Sequence, residues 1–381
     1  MKVALDVSQT CVEVAGCGWA AHQIAQALSA KANPGLRIIL YHHFGTWANS
    51  ATDKGFFPDN PSVQSPLADM TGHEAKILWQ KIGNGSMAPP GNPDLIHSHN
   101  FSAPNTGKIP LVYTVHDLAF WDLPHTSTET NRLLCQDGIL QALENAAAFI
   151  FPSQFTQSRF LNFFGVVLSQ NRQSHQVVYW GGRFPTISQP KSFSKDAPWL
   201  FVGSLDPRKN IHKLLQAFDL YWEKSRQKRT LLLAGPRGWT TGNEWNHIEA
   251  LSKRGRARHL GYLSDPELLK RYGNAFALVW PSLYEGFGLP VLEAMSQGTP
   301  VITSNRTCLP EVGGEAAIYC NPDSIESIAA AMIELETEEE PYRDHSRKSL
   351  HQSTRFSWEE TASELLKIYR DVITSSTCPS V

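Results

Sequence analysis

The sequence predicts an α/β protein built as two doubly wound parallel sheets. Three observations carry this prediction. Short apolar runs alternate with helical patterns, the alternation stops once in a Pro- and Ser-rich stretch, and it then restarts. A length of 381 residues supplies material for two sizeable cores. Apolar residues make up 41% and charged residues 18%, and no apolar run approaches the roughly 20 residues of a membrane-spanning helix. A soluble globular protein is therefore expected. The N-terminus MKVALDVSQT turns polar after six residues and lacks a secretory h-region, so the expected location is cytoplasmic.

In order along the chain, strands are predicted at 2–7, 37–42, 94–98, 111–115, 148–151 and 176–180, with helices at 18–30, 128–145 and 154–164. Segment 44–93 resists this pattern. It is rich in Pro and Gly, and only HEAKILWQKI (73–82) has helical periodicity; long irregular insertions of this kind are usually functional. FPTISQPKSFSKDAP (184–198) then reads as a linker. Strands resume at 199–203, 230–235, 277–280, 300–303 and 317–320, separated by helical segments near 210–226, 265–273 and 289–297. Helices at 323–336, 341–351 and 358–373 close the chain. The expected domains are 1–185 and 198–357, with 358–381 packing back on the first.

Charge is uneven. Residues 191–275 carry 16 Lys and Arg against 8 Asp and Glu, whereas residues 276–381 carry 7 against 16. The basic block suits a phosphate-bearing ligand, although a run such as KSRQKR (224–229) also reads as a solvated helix face. A net charge of −2 argues against a nucleic-acid partner, whose binding domains are strongly basic. Six cysteines lie scattered without a C-x-x-C pair, a pattern of structural thiols.

Four stretches carry candidate chemistry. In PSLYEGFGLPVLEAMSQGTPVI (281–302), Gly286 and Gly288 make a turn and Pro290 suits a first helical turn. A strand, Gly-rich turn and helix N-terminus present backbone N–H groups to a ligand, with Glu285 in the turn and Glu293 on the helix as acceptors for sugar hydroxyls. Spacing alone also permits a capping glutamate and an exposed helical one. His116 and Asp117 directly follow an apolar strand, where open α/β sheets bind ligands; His99 shares that placement. Gly16, Gly18 and Ala21 spell G-x-G-x-x-A, but the glycines come about nine residues after the strand and the next strand closes on His42 and His43 without a ribose-binding acid. TSNRTCLPEV (303–312) follows a further strand.

The string E-G-F-G-L-P-x-L-E-A followed by G-T-P-V-I resembles the paired-glutamate motif of retaining GT-B glycosyltransferases of family four. PDLIHSHN (93–100), TVHDLAF (114–120), FVGSLDPRKN (201–210), LAGPRGW (233–239), LGYLSDPEL (260–268) and LPEVGGEAA (309–317) extend the similarity over nearly the whole chain. In FVGSLDPRKN, two cations and a helix N-terminus converge where a diphosphate is accommodated.

The resemblance implies two Rossmann-like domains facing across a cleft that holds a nucleotide-diphosphate sugar. It makes Arg208 and Lys209 the diphosphate ligands, Glu285 the group orienting sugar hydroxyls, Glu293 the ribose contact and His116 the contact near the anomeric centre. It brings the Gly16 and Gly18 loop to the donor phosphate or the acceptor, and puts the other donor contacts on Gly203, Gly286, Phe287, Gly288, Leu289, Glu293 and Leu309. Ser204 stands where some relatives carry arginine, and Trp180 where many carry asparagine; Trp180 and Trp239 read as packing residues. No D-x-D triplet occurs, so neither a bound metal nor a separate cofactor is expected. HDLAF with GPRGW resembles the mannosyltransferase side of the family, which puts GDP-mannose first and UDP-glucose second as donor. The acceptor would be a glycan or lipid-linked saccharide, the latter with transient contact at a membrane surface. The alternatives are an NAD-linked oxidoreductase or epimerase acting on nucleotide sugars, and a non-catalytic binding protein of the same fold.

Overall fold

β1 (Lys2–Asp6) shows why the first sheet forms: Val3, Ala4, Leu5 and Asp6 are all buried, as a strand covered by helices on both faces must be. The computed structural model describes residues 1–11, 16–45, 55–238 and 242–377. It divides into two compact units, Met1–Gly181 with Ser357–Val381, and Gly182–Phe356.

In the first unit, α1 (Gly16–Ala30), β2 (Arg37–Tyr41), β3 (Val63–Gln64), α2 (Gly72–Gly83), β4 (Leu95–Ser98), β5 (Leu111–Thr114), α3 (Ala119–Asp122), α4 (Glu129–Asn145), β6 (Ala146–Phe151), α5 (Gln154–Gln170) and β7 (Ser174–Val177) follow β1. The strands are parallel in the order β3-β2-β1-β4-β5-β6-β7, so the direction of winding reverses between β1 and β4. Side chains start several helices: Thr71 forms a capping box with Glu74, and Thr128 and Ser153 accept from backbone N–H groups three residues on. One face of the sheet buries Tyr41, Phe44, Trp79, Phe149 and Phe160.

The structure departs from the sequence prediction here: α3 was not anticipated, and α5 runs to Gln170 where the helix was predicted to end at 164. α1 begins at Gly16 instead of 18, β7 spans Ser174–Val177 instead of 176–180, and the irregular 44–93 segment contributes β3. β7 ends early because, after one more ladder bond from Val178 N to Phe151 O, the chain turns off to pack Trp180 against Trp358. β3 escaped notice because two residues carry no periodicity.

The second unit runs β8 (Trp199–Val202), α6 (Ile211–Lys224), β9 (Leu231–Ala234), α7 (Gly242–Lys253), β10 (Ala257–Gly261), α8 (Asp265–Asn274), β11 (Ala277–Trp280), α9 (Leu289–Ser296), β12 (Val301–Ser304), α10 (Leu309–Gly313), β13 (Ile318–Cys320), α11 (Ile325–Leu335) and α12 (Glu339–Ser353). Its parallel sheet has the order β10-β9-β8-β11-β12-β13 and reverses between β8 and β11. α7 and β10 were not anticipated. β10, ARHLG, is an edge strand whose exposed Arg258 breaks the apolar pattern, and charges on an edge discourage pairing with other chains.

Two further expectations are corrected. Stretch 184–198 is a bound strap, not a free linker: Ile187 N donates to Ser296 O, Gln297 Nε2 to Pro185 O, and Lys191 Nζ to the Tyr272 and Ala275 carbonyls that end α8. KSRQKR is not wholly a solvated face, because Arg229 is buried against the Phe276 ring and donates to the Ser194, Lys195 and Ala197 carbonyls.

α13 (Trp358–Thr377) closes the chain and returns to the first unit. Its Ala362, Leu365, Leu366, Ile368, Tyr369 and Val372 complete the core that Leu5 and Ile38 of the sheet share with Ile24 and Leu28 of α1. Among the described residues no helix is long and apolar enough to cross a membrane.

Candidate active site

In the second unit, β8 and β11 are neighbours at the reversal of winding, the point where doubly wound sheets bind ligands beyond their carboxyl ends. β8 leads through Gly203 into a short 3-10 turn, Pro207–Lys209, that joins α6. Asn210 holds the junction in a left-handed conformation and donates its amide to the Pro281 and Pro322 carbonyls at 3.0 and 2.7 Å. The Arg208 carbonyl accepts from Leu283 N at 2.9 Å. The PRK turn is thereby tied to the Glu285 loop.

Three groups converge on the buried Glu285 carboxylate. Lys209 Nζ donates to Oε1 at 2.6 Å, Ser282 Oγ to the same oxygen at 2.5 Å, and Arg208 Nη1 to Oε2 at 3.1 Å. Arg208 Nη1 also donates to Tyr284 O at 2.7 Å, and the Trp280 ring lies 4.5 Å from Lys209 Nζ. Burial alone would raise the Glu285 carboxyl, but Lys209 and Arg208, with the Lys209 and Ser282 hydrogen bonds, outweigh it and hold it below its ordinary range. Asp206, in the same turn, acts on Lys209 as a second carboxylate.

Gly286, Phe287, Gly288 and Leu289 carry the chain from Glu285 into α9. Gly288 caps the helix at φ 102°, and a Cβ there would lie 2.8 Å from Leu309 Cδ2 at the start of α10. Phe287 is buried with its edge toward Phe356. Glu293 faces a separate partner, with Tyr272 OH donating to its Oε2 at 2.7 Å. Burial pushes the Glu293 carboxyl up, against the pull of Arg183 and the Tyr272 hydroxyl.

The first unit has its own polar centre beyond β1, β4 and β5. His116 Nε2 donates to the His99 carbonyl at 2.7 Å, with its ring between Phe101 and Trp180. Burial disfavours its charge, but Cys17, the His99 carbonyl and Asp117 together hold it at about 8. His97 bridges Tyr369 OH and Thr114 Oγ1 at 2.5 and 2.8 Å, and burial lowers it to about 3. Ser8 donates to Asp6 through both its N–H and its hydroxyl. Gly16 opens α1 and is exposed, while Gly18, two residues on, is buried.

The structure thus joins Arg208, Lys209 and Glu285 at one point, sets Glu293 apart on Tyr272, and places His116, Gly16 and Gly18 in the other unit. Trp180 is buried against His116; Trp239 lies outside the described residues. Sequence reasoning missed Ser282, Asn210, Trp280 and Tyr272. Ser282 lay inside the quoted motif without a distinguishing signal, and Tyr272 is too far along the chain for spacing to reveal. Among the described residues, no group of three or more His, Cys, Asp or Glu side chains is arranged to hold a metal ion.

Two doubly wound α/β units, one with two partly exposed cations on a buried carboxylate at its switch point, define the class of this protein. Residues 184–352 match the family described as Glycosyl transferases group 1, and residues 16–170 match Glycosyltransferase Family 4. O-antigen chain mannosyltransferase B of Escherichia coli is 31% identical over 285 residues, 72% of this chain and 74% of that one. Sucrose-phosphate synthase from Thermosynechococcus elongatus superposes with a TM-score of 0.71 at 21% identity, covering 98% of this chain and 99% of that one. Anabaena HepE, solved in complex with UDP-glucose, gives a TM-score of 0.69 at 19% identity, covering 97% and 100%. The chain belongs to the family-four glycosyltransferases of the GT-B fold.

Proposed function

We propose that this glycosyltransferase moves a hexosyl group from a nucleotide-diphosphate sugar to a hydroxyl of a glycan or lipid-linked saccharide, retaining anomeric configuration. The observation that carries the reading is the Arg208–Lys209–Glu285 cluster, two cations fixed by one carboxylate at the β8/β11 switch point. The unit Gly182–Phe356 takes the donor and the unit that begins at Met1 the acceptor. GDP-mannose is the first donor, supported by the mannosyltransferase relative; UDP-glucose is the second, supported by the HepE complex.

In this reading the acceptor oxygen bonds to the anomeric carbon as the bond from that carbon to the phosphate oxygen breaks on the same face. The departing phosphate oxygen takes the acceptor proton, and Arg208 and Lys209 disperse the charge it carries. Glu285 keeps both cations in place; the sugar-hydroxyl contact expected of it from the sequence competes with the three hydrogen bonds it already accepts. Glu293 accepts from the ribose with the oxygen that Tyr272 leaves open, and His116 faces the sugar near its anomeric centre.

A thermal-shift series against GDP, UDP, their sugars and NAD, with and without EDTA, tests the donor site, because a ligand that binds only the native state stabilises it. Stabilisation by GDP that survives EDTA, followed by NMR assignment of the product anomer, supports the reading. Stabilisation by NAD alone overturns it. Lys209→Ala should lower kcat by roughly 100-fold or more, the scale of losing one group that stabilises developing negative charge; an unchanged kcat at saturating donor would remove Lys209 from the chemistry.

A further inference from the structure

A glutamate carboxylate has no staggered preference about its last torsion, so its plane is set by what its oxygens meet. For Glu293 that partner is Tyr272 of α8, which is fully buried and donates its hydroxyl to Oε2 at 2.7 Å. Glu293 is 5% exposed, and its Oε1, which accepts from no described residue, is not sealed from solvent. The other charges acting on this carboxylate are Arg183 and Asp265, which pair with each other.

The tyrosine is itself fixed at both ends. Its carbonyl accepts from Lys191 Nζ and from Thr299 Oγ1, each at 2.7 Å, so the strap and the turn after α9 both anchor its backbone. The Phe184 ring meets the phenol edge-on, with centroids 6.1 Å apart. Burial and the neighbouring carboxylate hold the phenol in its protonated, donating form. The hydroxyl in turn favours the ionised carboxylate, which only accepts. One oxygen is thus engaged, and the other, held in a fixed plane, is left for a donor. A ribose carries two adjacent hydroxyl donors that match it.

We infer that Tyr272 is a positioning residue for donor recognition: by fixing Oε2 of Glu293 it aims Oε1 at the ribose hydroxyls, and so sets the preference of this enzyme for ribonucleotide over deoxyribonucleotide donors. The inference rests on the proposed contact between Glu293 and the ribose.

Tyr272→Phe removes the hydroxyl and keeps the ring beside Phe184, and its melting curve reports whether the fold is retained. Isothermal titration with GDP, UDP and their 2′,3′-dideoxy forms gives the affinity ratio between each ribonucleotide and its dideoxy analogue. Wild type should prefer the ribonucleotide by roughly tenfold or more, the scale of a hydrogen bond to a charged group, and Tyr272→Phe by about threefold or less. Lys191→Met, which releases one hold on the Tyr272 backbone and leaves the phenol in place, should lower the ratio in the same direction and by less. Loss of local packing alone would weaken both members of a pair alike and leave their ratio where it was. A ratio equal to the wild type's in Tyr272→Phe, or in Lys191→Met should the former not fold, therefore overturns the positioning role and leaves the Glu293 contact standing. A wild type that binds both members of a pair equally overturns the ribose contact itself and this inference with it, and a wild type that binds neither GDP nor UDP overturns the donor reading.

Discussion

Asp6 shows how a single buried side chain sets a pH dependence. It is 1% exposed, and burial raises its carboxyl from 3.8 to about 6 against the opposing Ser8 hydrogen bonds. In that window the native state holds a proton the unfolded chain has released, so stability is fully present below pH 3.8 and is lost as pH rises through 6. The loss is on the order of 2–3 kcal/mol. Asp6→Asn removes the titration while keeping an acceptor for Ser8, so urea midpoints at pH 4 and pH 7 should lie closer together in the variant than in wild type. An equal pH dependence in both would assign the titration elsewhere. Arg208, Lys209 and Glu285 were legible because their motif and the strand-to-helix setting agree. Ser282 was not, since a serine near a strand end takes its meaning only from the carboxylate that folding brings to it.

Turns between elements hold the site's shape, and their glycines differ in what they must do. Gly203 and Gly235 end β8 and β9 with φ 139° and 138°, and a Cβ on Gly235 would collide with the Gly203 carbonyl. Gly235→Ala should therefore cost about 1–3 kcal/mol in strain and shift the PRK turn. Gly182→Ala would meet only ordinary contacts with Leu292. Calorimetry of the two variants checks this: a melting temperature for Gly235→Ala no lower than for Gly182→Ala would show that the backbone gives way. At this scale strands with continuous apolar runs, such as WLFV, were readable. β10 and α7 were hidden because an edge strand and its exposed helix bury too little to imprint a period.

Each unit has a core of its own, but only one is built from a continuous stretch of chain. Burying a large apolar side chain contributes about 1.5–3 kcal/mol, and α13 supplies Leu365, Leu366, Ile368, Tyr369 and Val372 to the first unit. Their sum rivals the whole stability of a typical domain, about 5–15 kcal/mol. A chain ended at Phe356 should leave 1–181 open to protease while 182–356 stays protected; equal protection of both would show the helix to be dispensable. The alternation of strands and helices made two doubly wound sheets predictable from sequence. The strap over 184–198 was not, because its binding runs through backbone carbonyls and hydroxyls that composition does not register.

The hydrogen bond from Tyr369 to His97 joins residues 272 positions apart. During synthesis, the sheet that begins first is the one that finishes last. Its strands and helices leave the ribosome with a bare flank where α13 belongs, and the intervening unit, contiguous in sequence, is complete before that flank is covered. Until α13 has been made, the first unit therefore presents an exposed apolar surface, and the aggregation risk it carries ends only when that helix emerges.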